Sequence, residues 1–198
     1  LGNNEKKNIV EHLEQYQKDK KRQLEIEDLM QQREFIEFGD VTYTEKTRAV
    51  VKIQDGCDRF CSYCIIPYAR GRVRSRKIDS IIKEIEQIAQ KGIKEVVITG
   101  IHLASYGKDF EENIGLIDLL EEIIKEKPQV VAFSTYIWNI EVVTRLSYLI
   151  KAVDESIEIL YGGPEVSYDS MNILKELPGE YIIEGEGEKT YKEFVEYK

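Results

Sequence analysis

From Thr47 onward, short β-prone apolar runs alternate with amphipathic stretches of helical period, and this alternation limits the possible folds more than any other feature. The runs lie at 47–53, 95–99, 130–134, 157–160 and 181–183. Between them, Asp79 is placed to cap a helix with Ile81, Ile82, Ile85, Ile88 and Ala89 on one face, stopped by Gly92. Further helical patterns cover 116–127, ended by Pro128, then 141–153, 170–177 and 189–197, with a Gly162-Gly163-Pro164 turn among them. A strand that returns through a helix comes back parallel, so the expected fold is α/β with a mostly parallel sheet. Ahead of it, residues 5–36 are polar. Ile9, Val10, Leu13 and Tyr16 give a short helical stripe and 24–38 a looser one, which predicts a helical extension and connector over residues 1–40.

The 198 residues are 42% hydrophobic and 33% charged, which suits a globular chain with a packed core. No apolar run is long enough to span a bilayer, so no membrane contact is expected. The N-terminal segment has no apolar stretch behind its charges and does not read as a signal peptide. A start without Met is what a piece of a longer protein would show. The net charge of −9 is uneven. Residues 1–127 carry 22 basic against 24 acidic side chains, and residues 128–198 carry 6 against 13. A polyanion partner is therefore expected only on the first part, where Arg70, Arg72, Arg74 and Arg76 alternate. In an extended loop that alternation puts all four on one side. Guanidinium groups there could meet RNA phosphates and bases, hold a ligand carboxylate, or offset the acidic surface.

The only three cysteines lie within eight residues, as Cys57-x-x-x-Cys61-x-x-Cys64. An odd, tightly clustered set points to metal or redox chemistry rather than a disulfide framework. Three thiolates can hold three irons of a 4Fe-4S cubane, leaving the fourth iron open or held by a non-thiol group. The alternative is a closed zinc site completed by His12 or His102, neither at typical spacing from the cysteines.

With Tyr63 before the last cysteine, this motif resembles the radical S-adenosylmethionine (SAM) signature. Phe38-Gly39-Asp40-Val41-Thr42, Thr47-Arg48-Ala49, 52–57, 64–71, Arg74-Ser75-Arg76 and 99–103 resemble the tRNA methylthiotransferases, nearest to the branch acting on threonylcarbamoyladenosine. The resemblance covers about residues 1–124. It implies that Cys57, Cys61 and Cys64 bind a 4Fe-4S cluster whose open iron chelates SAM. It further implies that Tyr63 and Ile65 flank the SAM adenine, and that Thr99 and Gly100 lie near its methionyl group. A plain strand end is the other reading of Thr99-Gly100. The implied partners are a tRNA anticodon stem-loop and an electron donor such as flavodoxin or ferredoxin, in the cytoplasm.

The family's second set of three cysteines is absent, and from about Pro128 the text changes. Residues 131–140, 162–169 and Gly185-Glu186-Gly187-Glu188 resemble the cobalamin-binding, flavodoxin-like domain of another radical SAM class. The first βα unit and the Asp-x-His-x-x-Gly cobalt-ligand motif of that domain are missing, which speaks against bound cobalamin. Gly162 and Gly163 allow close backbone approach to a ligand, or simply a tight turn. The expected organisation is a connector over 1–40, a partial barrel-like radical SAM core over 41–127 and a flavodoxin-like segment over 128–198. The expected function is a radical SAM enzyme, incomplete, of the tRNA methylthiotransferase type. The alternatives are a non-catalytic Fe–S or metal-binding module and a partial cobalamin-dependent radical SAM protein.

Overall fold

Alternation of buried Ala49, Val51 and Ile53 along Arg48–Asp55 (β1) sets one face of that strand inward. The computed structural model describes residue 2, residues 5–37 and residues 48–198. Motif residues 38–42 and Thr47 lie outside them. Ile9–Asp19 (α1) forms the expected N-terminal helix, preceded by a 3-10 turn. The looser stripe at 24–38 is not helical over its described part: Leu24 and Ile26 are exposed, and the segment runs as a connector with a turn at 29–31.

After β1 come Ile66–Arg70 (α2), Arg74–Ser75 (β2), Ile78–Gln90 (α3) and Glu95–Gly100 (β3). α3 buries Ile81 and Ile88, two turns apart on one face. Asp79 sits in its first turn rather than at the cap, which is Lys77. Gly92, at φ +77°, follows the helix as the pattern anticipated. Strands order as β2-β1-β3, with β1 and β3 parallel and the short β2 antiparallel to β1.

Leu116–Lys125 (α4) leads to Val130–Ser134 (β4), Ile140–Val153 (α5), Glu158–Gly162 (β5), Pro164–Ser167 (α6), Ser170–Glu176 (α7), Tyr181–Ile183 (β6) and Glu188–Tyr197 (α8). This sheet is parallel throughout, in the order β4-β5-β6. Its core is Ile124, Val143, Ile150, Ile157, Ile159, Tyr161 and Val166. The chain divides into two compact units, Leu1–Glu122 and Ile123–Lys198. Helix α4 runs across that division, and among the described residues each unit has its own three-stranded sheet rather than a share in one continuous sheet. The α/β fold with mainly parallel pairing and an N-terminal helical extension is as expected.

Candidate functional site

The cysteine loop leaves β1 through Gly56, at φ +72°, where a Cβ would overlap the Arg72 carbonyl oxygen. The loop closes at its neck by the Cys57 N–H donating to Gly71 O at 3.0 Å. Gly71 has φ +78°, and a Cβ there would stand 2.9 Å from Arg74 Nη1. Two glycines and one backbone bond thus fix both ends of the loop. Within it the Cys64 N–H donates to Cys61 O at 2.9 Å, making a turn that carries two of the thiols, and Pro67 in the first turn of α2 starts the return.

All three cysteines are free; Cys57 is buried at the neck, Cys64 half-buried and Cys61 exposed. As donors they suit an iron–sulfur cluster, being unpaired thiols on one loop. Among the described residues no three His, Cys, Asp or Glu side chains are gathered as a metal-holding group. The rim of the loop is solvent-facing and mixes Asp58, Arg59 and Ser62 with large apolar side chains. Tyr63 is 90% exposed, and Ile65 and Tyr68 are exposed too. Phe60 packs edge-on against Tyr68, with ring centroids 5.7 Å apart.

Thr99 and Gly100 end β3 beside the loop stem: Lys52 pairs with Thr99, and Gln54 with Gly100 across a register shift. The fully buried Gln54 spans the gap. Its Nε2 donates to Asp55 O and to Gly56 O, each at 2.7 Å, and its Oε1 accepts the His102 N–H at 2.8 Å. His102 Nδ1 lies 2.7 Å from Ser105 Oγ. Burial, then the Arg59 and Lys108 charges, lower its pKa and favour the neutral ring. Sequence reasoning had Gln54 only as a letter in a motif. The signal available was a polar residue directly following the buried, alternating Ala49, Val51 and Ile53.

The alternating arginines do not share one solvent face. Arg74 has a 2% exposed side chain; its Nη2 donates to Arg70 O at 2.9 Å and lies 3.6 Å from Asp55. Among the described residues its Nε and Nη1 have no hydrogen-bond partner. Burial lowers its pKa, opposed by Asp55. Arg76 is largely buried too, bound to Glu84, Glu37 and Ser80. Arg72 is more open: it sits 3.5 Å from Asp58, with its guanidinium 5.8 Å over the Phe60 ring. Arg70 is half-buried. Extended alternation alone could not reveal that β2 turns this face toward the sheet.

In the second unit, the buried Thr135 follows β4 and bonds to the end of β5: its N–H and Oγ1 both donate to Gly162 O, at 2.7 and 2.6 Å. Gly163, at φ +105°, packs against Thr135, where a Cβ would stand 2.9 Å from the Thr135 nitrogen. A Cβ at Gly162 or Gly185 would meet only open space. Trp138 is 76% exposed and stacks on Tyr136, with centroids 4.7 Å apart. The carboxyl ends of β4 and β5 therefore carry two bolted loops, the exposed Trp138 stacked on the half-buried Tyr136, and open space at Gly162. Residues 123–198 hold no histidine to serve as a cobalt ligand.

The chain is 39% identical to the threonylcarbamoyladenosine tRNA methylthiotransferase MtaB of Aquifex aeolicus over 125 residues, 63% of this chain and 30% of that protein. It is 41% identical to the tRNA-2-methylthio-N(6)-dimethylallyladenosine synthase of Clostridium perfringens over 105 residues, 52% of this chain and 24% of that protein. It thus spans less than a third of the curated relatives it matches. A solved radical SAM methyltransferase, TsrM of Kitasatospora setae, covers 68% of this chain and 35% of its own at 16% identity and TM-score 0.38, a likeness too loose to carry an argument. A family model described as B12 binding domain matches residues 78–195. That match opens well ahead of Pro128 and takes in α3 and β3, which the sequence also likens to the tRNA-modifying enzymes. Because it spans more than half of the sequence, the chain belongs to the B12-binding domain family.

Proposed function

We propose that Cys57, Cys61 and Cys64 hold a 4Fe-4S cluster with one open iron, and that the chain binds SAM there as a partial radical SAM protein of the tRNA methylthiotransferase kind. The observation that carries this is a loop with three free thiols, anchored at both ends, beside the end of a parallel strand. Bound there, a reduced cluster supplies one electron to SAM. The chain's own residues bind and orient. Tyr63 and Ile65 are exposed on the loop and free to cover an adenine. Thr99 and Gly100 offer backbone groups at the strand end, where ligands of parallel α/β folds sit. Arg72, with a 43% exposed side chain, is the arginine of the basic segment proposed to meet an RNA phosphate, with a tRNA anticodon stem-loop as partner. Flavodoxin or ferredoxin would reduce the cluster, in the cytoplasm. Among the described residues no helix is long and apolar enough to cross a membrane. With three cysteines in all, the sequence holds ligands for one cluster, so SAM chemistry is proposed without methylthiolation of tRNA. Anaerobic reconstitution tests it: SAM shifts the EPR spectrum of the reduced cluster. Stoichiometric zinc without iron uptake would leave a structural metal module instead.

A second reading is favoured by the family match: a corrin held at the carboxyl ends of β4 and β5. The open space at Gly162 and the exposed Trp138 ring suit a flat ligand; the absence of histidine from residues 123–198 does not suit histidine-ligated cobalt. A corrin absorption band retained after gel filtration would support it.

A further inference from the structure

Gln54 occupies a place that few side chains could fill. The register shift after Lys52 turns it toward the β3 end, where it faces Gly100. A Cβ on Gly100 would lie 3.1 Å from both Gln54 Cβ and Gln54 Oε1, so the glycine makes room for the amide. Both Nε2 hydrogens are used on consecutive carbonyls, Asp55 and Gly56, and Oε1 takes the His102 N–H. Only a neutral primary amide donates twice and accepts at once; ionised Glu has no donor, and Asn is one methylene shorter. The group is fully buried, so an unmet partner would not be rescued by water.

We propose that Gln54 is a positioning residue that sets the Cys57 loop against the Thr99–Gly100 strand end, and so controls how SAM engages a cluster held by the loop. This rests on the reading under Proposed function. Iron is held by the thiols, which Gln54 does not touch, while SAM must reach both the loop and the strand end. The two functions therefore separate in Gln54 variants.

The test uses the full chain, reconstituted anaerobically, with iron content and a SAM titration of the EPR spectrum as readouts. Gln54→Glu and the donor-free Gln54→Met, the latter in hand should the first not fold, load iron as wild type does. Their spectra without SAM are unchanged, and half-maximal response to SAM needs about tenfold more SAM. In the metal-free protein, Gln54→Met also exposes the His102 amide to faster hydrogen exchange. A normal SAM response with unchanged His102 protection in the variants overturns the assignment and leaves the cluster reading standing. Wild-type protein that loads iron but shows no response to SAM sinks that reading, and this assignment with it.

Discussion

Ser75 and Asp109 are joined twice: the Ser75 hydroxyl donates to Asp109 Oδ1 at 2.6 Å and its N–H to Oδ2 at 2.8 Å. The same hydroxyl accepts the Gly107 N–H at 2.8 Å. Nearby, the buried Tyr106 hydroxyl donates to Arg76 O at 2.7 Å, and burial with the Asp109 charge holds its pKa above the usual phenol range. The strand after the cysteine loop and the loop after β3 are thus tied by charge-assisted bonds. Ser75→Ala removes both roles of the hydroxyl and should cost about 1.5–3 kcal/mol by urea unfolding. A loss below about 0.5 kcal/mol would mean that solvent replaces these bonds.

Arg72 and Arg74 are two residues apart and should behave oppositely. Arg74→Ala removes a buried group and should cost about 2 kcal/mol or more of stability, with Asp55 still held by Lys52 at 2.5 Å. Arg72→Ala should leave stability nearly unchanged and lower the salt dependence of anticodon stem-loop binding by about one phosphate contact. An unchanged salt slope in Arg72→Ala would remove it from the RNA surface.

The depressed pKa of His102 has a definite sign. The unfolded ring takes up a proton near pH 6.5, while the folded ring resists until lower pH, so the unfolded state holds more protons in between. Stability should therefore decline as pH falls below about 6.5. His102→Gln, which cannot titrate, should lose less over the same range, carboxylate contributions being common to both proteins. Parallel unfolding curves between about pH 7 and pH 5 check this; an identical decline in the two proteins would contradict it.

Expressed in a strain lacking methylthiotransferase activity, the chain should yield no methylthio-modified adenosine in nucleoside mass spectrometry. Its appearance would show that sulfur reaches the RNA without a second cluster on this chain.

The strand and helix order was legible because apolar period switches between two and 3.6 at Gly or Pro boundaries, as at Gly92 and Pro128. The Cys57–Cys64 segment stood out because it gathers three cysteines within eight residues, and the structure places all three on one loop as free thiols. What stayed hidden depends on side-chain direction and tertiary contact. Nothing in the letters shows that Arg74 turns inward while Arg72 stays open, or that Gln54 bridges two loops through a glycine 46 positions on at Gly100. Over its described part the stripe at 24–38 runs as a connector, because a weak helical period does not by itself order a helix.

Whether the thiol loop lets SAM react decides the proposed function. Reconstituted, dithionite-reduced protein is incubated with SAM and 5′-deoxyadenosine is quantified by mass spectrometry, alongside Cys57→Ala, Cys61→Ala and Cys64→Ala. The wild-type chain should carry about four irons and form 5′-deoxyadenosine, and none of the three variants should do either. A wild-type chain carrying its full iron and releasing no 5′-deoxyadenosine would contradict the proposed function.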